Sequence, residues 1–559
     1  MVWTLFLTSF IGMTSFGTFA LADDHMLTAA KLFDPHHVVD IEISVPEADW
    51  DTIRAESRSI VDALKKEPAE SPFTYVKADI SIDGVDIKDM GIRKKGFLGS
   101  LDEQRPSLKV KFAEYKDQSP IAGLDRLTLN NNKQDPSGLS QYLGYRIFNE
   151  SGTVASRCNL AHLTVNGKDL GIYSNVESIK PPMLEHGFGD NSGALWEGTI
   201  TDFYEEFIKR FEKKNEQAKY EPLRQVADIL AQEAVDVDRL GKLVDIEAFV
   251  RFWATESLIG FWDGYTNNQN NFFIYQDPAN SKLYFIPWGA DALFSENMPL
   301  PPFTIRPRFV HSRSLMANRL YRVPTIQKLY HQTLMELLEK HWNETELLAE
   351  VDRVEAMLKD LVRDENPQFL GSVAKVRTFI KTRREKLMKE MEDGPAELKS
   401  LAKLPVYARK VGTMTASFTT RWYDKTPQNP KDMGEVEIEL TVDGKRIEFS
   451  KIGVYAGYSR WLPLTAGTPK PPTIVFIGQR KSNGKDLILG IGMSSESFQP
   501  SNGKPVDIGG VLMEGPLGFL FPTMRVMAGK VILESADTKD GAVIRGMLEL
   551  TVLRMIDGS

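Results

Sequence analysis

Between Phe261 and Phe294 the chain has little freedom in what it folds into. The apolar runs Phe272–Tyr275 and Leu283–Ile286 have strand length, and Asp277-Pro278-Ala279-Asn280 between them is made of residues that start turns. What brackets the pair is polar. Asp263 and four asparagines (Asn267, Asn268, Asn270 and Asn271) precede the first run, and Asp291 follows the second. The stretch reads as loop, strand, turn, strand, loop.

A hairpin with an acid and amides before its first strand and another acid after its second suits phosphoryl transfer. Mg²⁺ takes hard oxygen donors, mostly carboxylate with some amide and water, and a bound nucleotide supplies the rest. In protein kinases one Asp accepts the substrate hydroxyl proton, a nearby Asn holds metal, and a later Asp holds the bridging metal. Asp263, then Asn268 or Asn271, then Asp291 match those three roles in order. The plain alternative is that asparagines make good turns, because they tolerate left-handed backbone.

Other motifs stand in a fixed order around this stretch. They are Gly91-Ile-Arg-Lys-Lys-Gly96 with Ser100, Pro106-Ser-Leu-Lys-Val-Lys-Phe112, Gly123-Leu-Asp-Arg-Leu-Thr-Leu-Asn-Asn-Asn132, Asp135-Pro-Ser, Val165-Asn-Gly-Lys-Asp-Leu-Gly-Ile-Tyr173 and Glu177. Together with the hairpin they resemble the CotH kinase family, the spore-coat protein H group of atypical kinases, over roughly residues 34 to 390. The resemblance implies an atypical two-lobed kinase-like domain, α+β in class, that uses ATP with Mg²⁺ or Mn²⁺ and phosphorylates Ser or Thr of a protein, itself included.

The resemblance also puts the nucleotide-phosphate lysine in the strand Ser107–Phe112, behind the Arg93-Lys94-Lys95-Gly96 turn. Strand alternation sends Leu108, Val110 and Phe112 to one face and Lys109 and Lys111 to the other, so it does not separate the two lysines. Lys109 is preferred, Arg93 and Lys95 are further phosphate contacts, and Glu177 is assigned to the cleft edge. Gly96, Gly99 and Ser100 do not give the spacing of the ordinary kinase glycine loop. Two departures from the family pattern bear on activity. Gln141, on a helix expected over Ser137–Asn149, stands near a position where the family often has Glu, and Gly289 stands where it often has an acid after Pro-Trp. Metal is then left to Asp291 and an Asn amide. These departures support a rival reading, an exported scaffold or adhesin that keeps the fold without turnover.

At 559 residues the chain is too long for one core. A net charge of −8 argues against a general nucleic-acid binder. Met1–Ala22 is apolar and free of acids and ends in Ala20-Leu21-Ala22, which is expected to be a signal peptide (residues 1–22) although its start lacks Lys or Arg; an uncleaved anchor is the alternative. Export to the periplasm, the cell surface or the medium follows, with no membrane span in the mature chain. The single Cys158 is read as a small core residue. His36-His37 lacks partners for zinc, and no G-x-S-x-G, Walker or H-E-x-x-H motif is present. Within 34–395, a β-rich lobe is expected to about 180 and a helical lobe from 181, with residues 203–262 helical and Phe203, Phe207 and Phe211 in the core. The basic loop holding Arg306, Arg308, His311 and Arg313 is read as a substrate loop or a covering segment. Beyond Asp393-Gly394-Pro395 the composition turns to Val, Ile, Thr and Gly punctuated by Asp443-Gly444, Asn483-Gly484 and Asp540-Gly541. Residues 400–559 are therefore expected to be a separate all-β, sandwich-like domain for binding or docking.

Overall fold

The computed structural model describes residues 27–556 apart from 59–63, 65–66, 68–69, 98–99, 300–301, 305–306, 360, 363–366, 399, 426, 428–432, 459–471, 494–496 and 515–523. The expected signal peptide, Gly99 and Arg306 lie outside the described residues. Seven strands form a closed barrel: β1 (Val38–Ser44), β2 (Val76–Ile82), β3 (Val85–Lys95), β4 (Ser107–Lys111), β5 (Arg126–Asn130), β6 (Cys158–Val165) and β7 (Lys168–Glu177), in the order β1-β2-β3-β4-β5-β7-β6. A parallel pairing of β1 with β6, from Val38 opposite Leu160 to Ile43 opposite Val165, closes the ring, and the other pairings are antiparallel. Alternation fills the interior with Ile41, Ile43, Ile80, Met90, Ile92, Leu108, Val110, Leu127, Leu129 and Leu163, all essentially without exposed surface. Asp83-Gly84 and Asn166-Gly167 turn with both residues left-handed, which is the hairpin geometry that Asn-Gly and Asp-Gly favour.

The helical region is packed around a second core. Its central helix, Ile246–Leu258, is capped by Asp245, whose Oδ1 accepts from Ala248 N at 3.0 Å, and it is buried on nearly every side. The helices Pro324–Lys340, Glu344–Leu358 and Pro367–Met391 present one apolar face each, as their sequence periodicity predicts. A four-stranded sheet in the order β11-β10-β8-β9 lies among the helices, with β8 at Ala194–Gly198, β9 at Glu212–Lys213, β10 at Phe272–Gln276 and β11 at Leu283–Pro287. The hairpin of β10 and β11 is the one the sequence predicts, with Phe272 opposite Pro287 and Gln276 opposite Leu283.

The segment 203–262 is less helical than its periodicity suggests. Glu205–Arg210 is a 3₁₀ helix, and the chain then extends so that β9 pairs with β8 before regular helix begins at Glu221. Phe203, Phe207 and Phe211 are core residues even so, each at most 1% exposed.

The C-terminal region is all β, but it is not two packed sheets. One nine-stranded antiparallel sheet runs through Lys445–Ile447, Glu435–Val442, Tyr407–Arg421, Val543–Ile556, Met524–Ser535, Val506–Glu514, Asp486–Gly492, Pro472–Arg480 and Phe449–Tyr458 in spatial order. Isolated bridges from Gly434 to Val454 and from Trp422 to Ala456 bring its two ends together, so the sheet curls around its own core instead of splitting into a sandwich. Of its expected turns, Asp443-Gly444 is left-handed at both residues, whereas at Asn483-Gly484 and Asp540-Gly541 only the glycine is. Among the described residues no helix is long and apolar enough to cross a membrane.

Candidate active site

The loop carrying Asp263 is fixed from beneath by an acid that the motif reading overlooked. Glu256, fully buried on the central helix, accepts from Tyr265 N at 2.9 Å, from Thr266 N at 2.8 Å and from the Thr266 hydroxyl. It thereby satisfies the first N–H groups of the short helix Tyr265–Asn268, a job that usually falls to a capping residue. Gly264 is the residue that lets this happen, since a Cβ there would meet Glu256 Oε1 at 2.3 Å. Burial pushes the Glu256 carboxyl up to about 8 against the pull of its donors. A second buried acid, Asp202, accepts from the Tyr265 hydroxyl, Gln269 Nε2 and Leu315 N at 2.8, 2.8 and 2.6 Å. The only sequence signal for Glu256 was an acid on a helix otherwise apolar around it.

Asp263 is surrounded by amides. Its Oδ1 accepts from Asn268 Nδ2 at 2.6 Å and from Asn270 Nδ2 at 3.2 Å, and its Oδ2 accepts from Asn271 Nδ2 at 2.8 Å. Gln269 and Asn271 both take left-handed backbone to bring these amides round, with φ of 58° and 53°. Burial raises the proton affinity of Asp263, while the three amides and the Lys403 ammonium oppose the shift.

Asp291 leaves β11 after a tight turn at Gly289, whose φ is +54°. A side chain at Gly289 would run into Asn271, because a Cβ there would lie 2.6 Å from Asn271 Oδ1. The amide of Asn271 therefore occupies the space that a side chain at position 289 would need. Asp291 is pushed up to about 7 by burial and by Asp263, with Lys95 pulling the other way. Lys95, at the end of β3, is held down to about 8 by burial and lies over the Trp288 ring at 5.9 Å. Its ammonium donates to Asn130 Oδ1, and Asn130 Nδ2 donates to Gln141 Oε1 at 2.6 Å. Gln141, on the Leu139–Glu150 helix whose Ser140 N donates to Asp135 Oδ2 at 2.7 Å, thus reaches Lys95 of β3 through one intervening amide.

The other sequence candidates have partners of their own. Lys109 is pushed down to about 7 by burial, with Glu197 opposing, and Glu197 sits on β8. Burial acts upward on Glu197, but Lys214 at 2.8 Å, Lys109 and Lys180 together hold it at about 2. Lys111 pairs with Glu114 at 2.6 Å, and Arg93 lies over the Tyr75 ring at 5.2 Å. Glu177 is 1% exposed and is bound by Arg157 at 2.6 and 2.9 Å. In the basic loop Arg308 pairs with Glu296 and Glu390, at 2.8 and 2.7 Å, and His311 is buried.

As a donor set for a divalent ion, the loops offer the Asp291 carboxylate and Asn271 Oδ1. The Asn268 oxygen accepts from Lys403 at 3.3 Å. Among the described residues no three His, Cys, Asp or Glu side chains form a metal set. Two protein oxygens suit Mg²⁺ that arrives on a nucleotide and keeps water, and do not make a closed protein cage.

A family model described as CotH kinase protein matches residues 92–390. The chain is similar to spore coat protein homolog 1 of Rhizopus delemar, at 23% identity over 52% of this chain and 50% of that protein. It is also similar to invasin CotH2 of the same fungus, at 25% identity over 40% and 42% of the two chains, and to inner spore coat protein H of Bacillus subtilis, at 21% over 45% and 73%. The chain thus spans about half the length of the first of these relatives or less. Among solved structures it is similar to the Helicobacter pylori proinflammatory kinase CtkA, with 10% identity and a TM-score of 0.28 over 53% of this chain and 94% of that one.

Proposed function

Because the chain belongs to the CotH kinase protein family, we propose that it is an exported, two-lobed atypical protein kinase that transfers the γ-phosphoryl group of ATP to Ser or Thr of a protein, itself included. The observation that carries this reading is the convergence of Asp263, Asn271, Asp291 and Lys95 from a loop, a strand end and the barrel onto one half-buried place. In this role Asp263 accepts the proton of the attacking hydroxyl as its oxygen bonds to the γ-phosphorus and the bond to the ADP oxygen breaks. The three amides keep the carboxylate in one orientation, and burial makes it a better base than an exposed Asp. Asp291 and Asn271 would hold Mg²⁺ or Mn²⁺, which supplies charge neutralisation between the phosphates. Lys95, which also feels Asp291, is the cation assigned to phosphate, with Arg93, Lys109 and Lys111 on the same barrel face and Glu177 tied to Arg157. Export is supported by the leader-like residues 1–22 and by relatives named for a spore coat and for invasion.

The test is transfer from labelled ATP with Mg²⁺ or Mn²⁺. Asp263→Ala and Asp291→Ala should each lower incorporation by about a hundredfold or more. Wild-type incorporation by both variants would overturn the roles. Gly289 and Gln141 favour the rival reading, a scaffold or adhesin without turnover. A thermal shift separates the two, since a nucleotide that binds the folded state must raise its melting temperature and a scaffold would show no rise with ATP and metal.

A further inference from the structure

Lys403 lies beyond the family-matched segment, which ends at residue 390, in the stretch that joins the Pro367–Met391 helix to the sheet strand starting at Tyr407. That stretch is not a solvated linker. Ala396, Leu398 and Ala402 pack against the helical core. Ala396 N donates to the Tyr321 hydroxyl at 3.3 Å, and the carbonyls of Leu398 and Ser400 accept from Arg322 at 3.1 and 2.8 Å. The Lys403 peptide is pinned at both ends, its N–H donating to Arg313 O at 2.8 Å and its carbonyl accepting from Gln269 Nε2 at 2.6 Å.

Gln269 belongs to the Asp263 turn, and Arg313 of the basic loop is bonded to it. Arg313 N donates to Thr266 O at 2.9 Å, and Gln269 is the residue that turns left-handed after Asn268. With its backbone held there, Lys403 extends its ammonium to Asn268 Oδ1 at 3.3 Å, while Asn268 Nδ2 donates to Asp263 Oδ1 at 2.6 Å. An asparagine amide is nearly symmetric in shape, so which end faces a neighbour is decided by the partners of both ends. A cation on the oxygen leaves the NH₂ for the carboxylate. Without the cation, the amide is held through its NH₂ end alone, and Asn268 is fixed less firmly against Asp263.

We propose that Lys403 is a positioning residue for Asp263, acting through Asn268, so that the segment joining the two domains is a built part of the active site. The catalytic half of the test rests on the kinase reading, and the structural half does not. In the full chain, Lys403→Met should lower kcat by about tenfold, the scale of losing a hydrogen bond that orients a functional side chain, with KM for ATP little changed, and Lys403→Arg should restore most of the rate. Asn268→Ala should cost as much as Lys403→Met, and the double variant no more than either alone, because residues acting through one path are not additive. Hydrogen exchange of backbone amides in 263–271 should quicken in Lys403→Met, stay near wild type in Lys403→Arg, and leave the barrel strands unchanged. An unaltered kcat in Lys403→Met, or fully additive losses with Asn268→Ala, would overturn the proposal. If no transfer occurs even in wild type, the kinase reading fails and exchange alone decides: quickened exchange in 263–271 supports the anchoring, and unchanged exchange sinks it.

Discussion

Gly289 makes a residue-scale prediction that runs against intuition. Restoring the acid common in the family, by Gly289→Asp, should lower metal-dependent transfer. The new Cβ would meet Asn271 Oδ1 at 2.6 Å on backbone with φ of +54°, and Asn271 would be driven off Asp263. Gly289→Ala carries the same clash and should cost about 1–3 kcal/mol in denaturant melts. A Gly289→Asp protein more active than wild type would mean that Asn271 does not do the work assigned to it. Glu256 makes a prediction about pH. Burial pushes its folded carboxyl up to about 8 from the ordinary Glu value of 4.5, so within that window the folded state holds a proton that the unfolded chain has released. Its contribution therefore makes stability fall as pH rises through the window. The stability of wild type relative to Glu256→Gln should decline between about pH 5 and about pH 9, and parallel curves in urea melts would refute it. Asp263, its asparagines and Asp291 were legible in the sequence because they crowd a single hairpin. Glu256 and Lys403 were not, because their relation to Asp263 exists only once helix and linker have folded against it.

At the scale of elements, the barrel meets the Leu139–Glu150 helix through a chain of amides, with Gln141 at the position where the sequence departs from the family's Glu. Lys95 reaches Gln141 through Asn130, and Gln141 Nε2 is buried without a partner among the described residues. A carboxylate at position 141 would keep the bond to Asn130 and leave no orphaned N–H group, so Gln141→Glu should retain transfer within about threefold. Asn130→Leu removes both bonds in the middle and should reduce ATP-induced stabilisation as well as kcat, measured by thermal shift and labelled transfer. Equal behaviour of Asn130→Leu and wild type would show that Lys95 needs no such support. Turns were the most readable elements, since Asp83-Gly84, Asn166-Gly167 and Asp443-Gly444 need left-handed backbone that few residue pairs accept. Residues 203–215 were misleading because phenylalanines at helical spacing also fit a 3₁₀ turn followed by extended chain, and the pairing of β9 with β8 decides between them. The lysines of β4 show the same limit, for alternation places Lys109 and Lys111 on one face and only the fold sets Lys109 near Glu197 and Lys111 beside Glu114.

For the whole molecule, the composition change near residue 394 marks where the helices end, but the packing continues past it. The helical core extends to Ala402, Arg210 donates to Val406 O at 2.9 Å, and the Phe207 and Tyr407 rings meet at 5.8 Å. The curled sheet has a core of its own, from Met414 and Phe418 to Leu550 and Val552, so it meets the physical requirement for folding alone. We expect the working boundary between Val406 and Tyr407. A 407–556 fragment should be soluble and melt cooperatively, and a 27–406 fragment should carry all of the nucleotide-induced stabilisation. Cutting at 395 strips Ala396, Leu398, Ala402 and Lys403 from the helical core and the Asp263 turn, and should cost about 2 kcal/mol or more relative to 27–406 from lost apolar burial alone. Because the lost segment holds Gln269 and Asn268, the 27–395 fragment should also lose transfer out of proportion to its stability, measured at a temperature where both fragments remain folded. Equal stability and equal transfer in the two fragments would make the joining segment a passive tether, and a 407–556 fragment that does not fold would mean that the sheet depends on the helical region for its core.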